Sequence, residues 1–153
     1  CVVEAYKVLV WQLLKAWKPD EVVAERAFVH KFPAALISLT LVLNAIRVSS
    51  WVVSQRDIRI ISPTQTKMII TGHGDADKDM MKLGILGNTR ITYDPSIDPQ
   101  TLSEHCIDAI GHGYTQYLLR HIPEATMRVY LDSRPVVPPK VKKAKKKKVT
   151  KGK

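Results

Sequence analysis

The sequence predicts an α/β layer structure built around a parallel pair of strands. Three observations lead there. Segments of helical and extended character follow one another in the order helix, strand, helix, strand, helices, the order that layers helices on a parallel sheet. The run Val22-Val23-Ala24 is apolar without alternation, as in a strand covered on both faces. Finally, all of the net charge of +10 resides in one terminal stretch: Arg134 to Lys153 holds nine lysines, one arginine and no acid. Residues 1–133, with 14 basic and 14 acidic side chains, therefore form a neutral body long enough for one core and too short for two.

Taken in order, Val2 to Lys18 is a helix. Tyr6, Leu9, Val10, Leu13, Leu14 and Trp17 form a face predicted to be buried, and Pro19 stops it. Residues 21–29 give the first strand, interrupted by Glu25. Pro33 opens a long helix reaching about Gln55. Its most apolar run, Ala34 to Ile46, stops at Arg47, too short to span a bilayer, so the helix is expected to be buried in the core. Residues 57–61 (DIRII) form the second strand. Ser62-Pro63 then supplies an N-cap and a first-turn proline for a short helix closed by Gly72. A further helix is predicted from Asp75 to about Leu86, a loop from Gly87 to Pro99, the last strong helix from Thr101 to His121, and a short strand over 127–131. From Arg134 onward, prolines and lysines predict disorder.

Cys1 and Cys106 match no metal or disulfide spacing, and Cys106, within an apolar helical pattern, reads as a buried thiol. The cysteine usage points to a reducing compartment. The first residues do not have the pattern of a signal peptide.

Three places could carry chemistry. Glu25 ends an apolar strand, and ligands of open α/β sheets gather outside that edge; alone, a surface glutamate paired with Arg26 or Arg47 accounts for it as well. His105 and Asp108 stand one helical turn apart, and His112 continues their face. A His and an Asp so spaced can share a divalent ion, carboxylates favouring magnesium and imidazole admitting manganese; an exposed polar stripe is the plainer explanation. Lys67 and Lys78 flank the turn Gly72-His73-Gly74, as phosphate contacts or as solvated lysines.

The order and spacing of these features resemble the RuvC-type Holliday junction resolvases. VVAERAFVHK (Val22–Lys31) is similar to the family's second acidic motif, an apolar strand ending in Glu with Phe three residues on. The stretch from Ser62 to Met81 is similar to the block with two lysines eleven positions apart, matched by Lys67 and Lys78. EHCIDAIGHGY (Glu104–Tyr114) is similar to the C-terminal helix bearing two metal ligands three residues apart. The likeness covers roughly residues 4–120.

It implies an RNase H-like mixed sheet flanked by helices over 1–133, with 134–153 as a basic tail. It implies Glu25, His105 and Asp108 as three of four ligands for two Mg2+ ions, with Mn2+ accepted, Lys67 and Lys78 at the phosphate, and Phe28 stacked on an unpaired base. His30 and Lys31 are further candidates for DNA contact. The chemistry implied is two-metal phosphodiester hydrolysis, one ion activating water and the other attending the departing 3′-oxygen. Branched DNA is the implied partner, a homodimer the implied assembly, and no membrane is called for. The bacterial or phage-infected cytoplasm is the implied location, although PPKVKKAKKKK also has the look of a nuclear localisation signal.

The likeness fails before Glu25. The family starts with a strand carrying an Asp, followed by glycine, in a three-stranded antiparallel element, whereas the 24 residues here read mostly as helix. With Cys1 in place of Met and only two clear strands, the expectation is an N-terminally incomplete chain rather than a pseudo-enzyme. Such a chain should bind DNA without cutting it. A non-catalytic RNase H-like nucleic-acid-binding protein and a ribonucleoprotein component, for which a lysine tail on a neutral body is common, are the alternatives; in the resolvase reading the tail adds sequence-independent phosphate binding, and a solubilising run accounts for it as well.

Overall fold

Eight short elements make up the computed structural model, which describes residues 2–27, 33–123 and 126–127. Helix α1 (Val2–Trp17) leads into strand β1 (Val23–Glu25), helix α2 (Pro33–Ser54), strand β2 (Arg59–Ile61), helices α3 (Pro63–Thr71) and α4 (Lys78–Leu86), a 3-10 turn at Pro99–Thr101, and helix α5 (Glu104–His121). Pro19 cannot continue α1. The chain leaves through Lys18 in the left-handed region (φ 46°), whose N–H still reaches the Leu14 carbonyl at 2.9 Å.

The strands pair in parallel, Val23 beside Arg59, Ala24 beside Ile60 and Glu25 beside Ile61. Bonds from Arg59 N to Val22 O and from Arg26 N to Ile61 O, both 2.8 Å, extend the ladder at either end. This pair is all the sheet among the described residues, and the molecule is richer in helix than the predicted mixed sheet. Both strands are shorter than predicted. The expected strand over 127–131 and the basic tail fall largely outside the described residues, as do Phe28, His30 and Lys31.

The core lies where α3, α4 and α5 meet. Ile69, Ile70, Met81, Ile85, Ile107, Leu118 and Met127 form one buried cluster, with Ile91, Leu102, Ile110, Tyr114 and Ile122 packed around it. Capping defines these helices sharply. The Ser62 hydroxyl accepts from Gln65 N at 3.2 Å, and Gly72 closes α3 at φ 87°, a left-handed conformation that favours glycine. Asp77 caps α4 by accepting from Met80 N at 2.9 Å, so this helix starts at Lys78 and not at Asp75. Ser103 caps α5 after the 3-10 turn, three residues later than predicted. Because Ile107, Gly111, Thr115 and Leu118 point inward from α5, Cys106 falls on its outer side and is exposed, not buried.

The α1–α2 hairpin differs from expectation most. Leu14 and Ala45 are buried between the helices, but Tyr6, Leu9, Leu13 and Trp17, the face of α1 predicted to be covered, stand in solvent. Ile37, Leu41, Val48, Trp51 and Val52 of α2 are exposed as well. A helix apolar around most of its circumference can bury only the sides that have neighbours, and α2 has little beside it but α1 among the described residues. The helix also runs on past Arg47, whose guanidinium turns outward to Asp57 (Nε–Oδ1 2.7 Å). The span Ala34–Ser54 is consequently long and apolar enough, by length and composition, to cross a membrane, a test that core helices of soluble proteins also pass.

Candidate functional site at the edge of the strand pair

Glu25 is the last residue of β1, so its carboxylate emerges at the carboxyl edge of the parallel pair, about half exposed. Helix α5 lies against this edge. Upstream, Glu21 anchors the strand to the helix by accepting from Gln116 Nε2 and by pairing with Arg120 Nη1, each at 2.9 Å. These anchors fix where Glu25 leaves the sheet.

The residue Glu25 meets is His112. Nε2 of His112 lies 3.3 Å from Glu25 Oε2, and on the other side of the ring Nδ1 lies 2.8 Å from the hydroxyl of Thr66 on α3. Both His112 and Thr66 are buried. The ring can reach α3 because its neighbour is a glycine: a Cβ on Gly111 would stand 3.1 Å from Thr66 Cγ2 and 3.2 Å from Met81 Cε. One connected chain, Thr66–His112–Glu25, thus ties α3, α5 and β1 together.

Further along the same face of α5, exposure rises toward the helix start. Asp108, one turn before His112, is partly buried, and His105 is exposed. Lys78, the first residue of α4, forms an ion pair with Glu104. The hydrogen bond and charge of Glu104 raise the pKa of Lys78 above the usual lysine range, and the nearby Asp108 carboxylate adds to the shift. Together Lys78, Asp79, Lys82, Glu104 and Asp108, with Leu102 and Ile107 behind them, line a cleft of about 200 Å3. Lys67, on α3 beside Thr66, is partly buried.

Of the residues singled out in the sequence, Asp108 and Lys78 share this cleft, and Glu25 joins the face of α5 through His112. Direct partners of Glu25 are neither Arg26 nor Arg47; the latter is engaged by Asp57, whose carboxyl it holds below the ordinary range chiefly through their hydrogen bond. Two carboxylates and an imidazole from a strand edge and a helix face are the donor types a hard divalent cation takes. Among the described residues, no three His, Cys, Asp or Glu side chains gather into a group that could hold a metal ion. Thr66 and the Glu21 anchors had no signal in the sequence. His112 had one, its place on the face of His105 and Asp108, and the structure turns it to Thr66 and Glu25.

No family model and no curated protein matches this sequence. Among solved structures, Thermus thermophilus RuvC superposes with a TM-score of 0.61 at 22% identity, over 77% of this chain and 68% of that one. T. thermophilus RuvC in complex with a Holliday junction substrate gives 0.62 at 21% identity, over 76% and 67%. The chain has a RuvC-like fold.

Proposed function

We propose that this chain acts on four-way (Holliday) or other branched DNA, as the body of a metal-dependent, structure-selective endonuclease. One observation carries the reading: Glu25 leaves the carboxyl edge of the strand pair directly against α5, the helix of His105 and Asp108, in a fold shared with a RuvC structure bound to a Holliday junction substrate.

In this reading Glu25, Asp108 and His105 would hold divalent ions, Mg2+ or Mn2+. When bound, such ions supply Lewis acidity at the phosphate and a water nucleophile at neutral pH. The protein's own contribution is positional and electrostatic. Lys78 carries a full positive charge at the mouth of the cleft, where it can exchange Glu104 for a phosphate oxygen, and Lys67 adds a second charge from α3. Phe28, His30 and Lys31 follow Glu25 directly and are proposed to contact the DNA, Phe28 by stacking. The bacterial or phage-infected cytoplasm is the setting that goes with this function.

Cutting two strands of a junction symmetrically calls for two sites, and hence a two-fold dimer. The exposed stripe Ile37, Leu41, Val48 and Val52 on α2 supports that assembly. Sedimentation velocity should find a dimer at micromolar concentration, converted to monomer by the double variant Leu41→Glu/Val48→Glu; a monomeric wild type refutes the assembly.

The test of function is binding of a synthetic four-way junction against linear duplex of the same sequence, with Ca2+ in place of Mg2+. Tighter binding of the junction supports the proposal, and equal affinity overturns it. Where Mg2+ or Mn2+ brings cutting, Asp108→Asn should abolish it and leave binding intact. Junction-selective binding that no metal converts to cutting, even in a protein that also carries the Asp-bearing first strand, would favour a second reading, a non-catalytic binding protein on this scaffold. That reading draws support from Glu25 being held by His112 and not beside His105 and Asp108.

A further inference from the structure

We propose that the groove along one flank of α5, formed by Gly113, Tyr114, Tyr117 and His121, binds unpaired nucleobases of single-stranded DNA by stacking. The inference goes beyond the junction reading and stands whether or not the chain cuts DNA. Tyr117 leaves 57% of its surface exposed. Its ring is nevertheless set by its neighbours: Tyr114 lies 6.4 Å away with the planes 22° apart, and His121 lies 4.8 Å away at 39°. The three rings form a row along the helix, and with Ile91, Ile110 and Ile122 they line a groove of about 810 Å3. At 100° per residue, positions 110, 113, 117 and 121 fall on a flank of α5 turned away from His105, Asp108 and His112. The groove is therefore separate from the edge that presents Glu25.

Two features select the occupant. The first is Gly113. A glycine in mid-helix destabilises relative to alanine, and nothing lies within 4 Å of where its Cβ would stand, so packing does not require it. It leaves bare helix backbone beside Tyr117, against which a planar ring can lie. The second is charge. Arg90 stands exposed on the rim, and no carboxylate lines the groove among the described residues, whereas Asp79, Glu104 and Asp108 line the cleft at Lys78. An anionic ligand with flat apolar faces fits this combination. A nucleotide strand is such a ligand: its bases stack on aromatic and guanidinium planes while its phosphates stay at the cationic rim. Paired bases present only their edges, so the occupant is an unpaired strand.

The experiment is fluorescence anisotropy of the full chain with a labelled oligothymidylate and with an abasic strand of the same length. The two strands carry the same phosphates, so the lysine tail contributes equally to both. The wild type should bind the thymidylate about fivefold more tightly, or better. Tyr117→Leu removes the central ring and Gly113→Leu fills the space beside it; both positions are exposed, and the fold tolerates the changes. Each variant should lose most of the thymidylate advantage and leave abasic binding unchanged, whereas Tyr117→Trp should keep the advantage. Equal affinity of the wild type for the two strands leaves the groove to a protein partner and overturns the proposal. Loss in Tyr117→Trp as large as in Tyr117→Leu makes Tyr117 a packing residue and overturns it too. An advantage that survives both leucine variants and disappears in Phe28→Leu overturns the groove and leaves the stacking proposed for Phe28 standing.

Discussion

The three-helix unit α3–α4–α5 and the α1–α2 hairpin obey different rules within one short chain. In the former, each helix has a side-chain cap, and the residues facing inward are buried against two neighbours. In the latter, two helices of stronger apolar character leave most of their large side chains in water. Apolar content thus does not locate the core here; the number of faces with neighbours does. Among the described residues the hairpin leaves its apolar faces without neighbours, whereas the three-helix unit buries its own.

Substitutions should separate the two regions by size of effect. Ile85, fully buried, should cost about 2–5 kcal/mol of stability when changed to Ala, measured by chemical denaturation. Trp17→Ala in the hairpin, although a larger truncation, should stay within about 0.5 kcal/mol at concentrations where the chain is monomeric, since 77% of Trp17 is already exposed. Comparable losses would erase the distinction.

Two glycines sharpen the contrast within the three-helix unit itself. A Cβ on Gly84 would lie 2.7 Å from Ile70 Cγ2 and 3.1 Å from the Ile70 carbonyl oxygen, so Gly84→Ala should destabilise by about 1–3 kcal/mol. Nothing lies within 4 Å of the same position on Gly113, mid-helix in α5, and Gly113→Ala should stabilise by about 0.5–1 kcal/mol. Thermal melting of the two variants should move in opposite directions. Removing the cap hydroxyl by Ser62→Ala should cost about 1 kcal/mol, read in the same way.

The smallest effect belongs to the exposed pair that closes the hairpin onto β2. Because Arg47 lowers the pKa of Asp57, the pair contributes stability above the ordinary aspartate range and loses it as the pH falls through the lowered value. Acid titration of the melting temperature should therefore be slightly shallower in Asp57→Asn than in the wild type, with the difference vanishing in high salt.

How much of this could be read from the residues follows the same division. Ser62, Pro63 and Gly72 marked α3 to the residue, because caps and prolines act over a few positions. Glu25, Asp108 and Lys78 were picked out singly, and the likeness to RuvC set them in one frame. The exposure of α1 and α2 was not legible: periodicity reports which side of a helix is apolar, not whether anything lies against it. Nor was the Thr66–His112–Glu25 chain, since its members come from three elements separated by long stretches of sequence, and each alone is an ordinary residue.

The crossover between the strands has a kinetic meaning. Contacts among α3, α4 and α5 join neighbours in sequence and can form early, whereas Val23 meets Arg59 only after the whole of α2 has been traversed. The strand that carries Glu25 is therefore expected to dock onto a surface that already exists, with His112 in position before its partner arrives. The ladder amides of Arg26 and Arg59 should exchange with deuterium sooner than those inside α5, making the edge that presents Glu25 the first part of the site to open and the last to assemble.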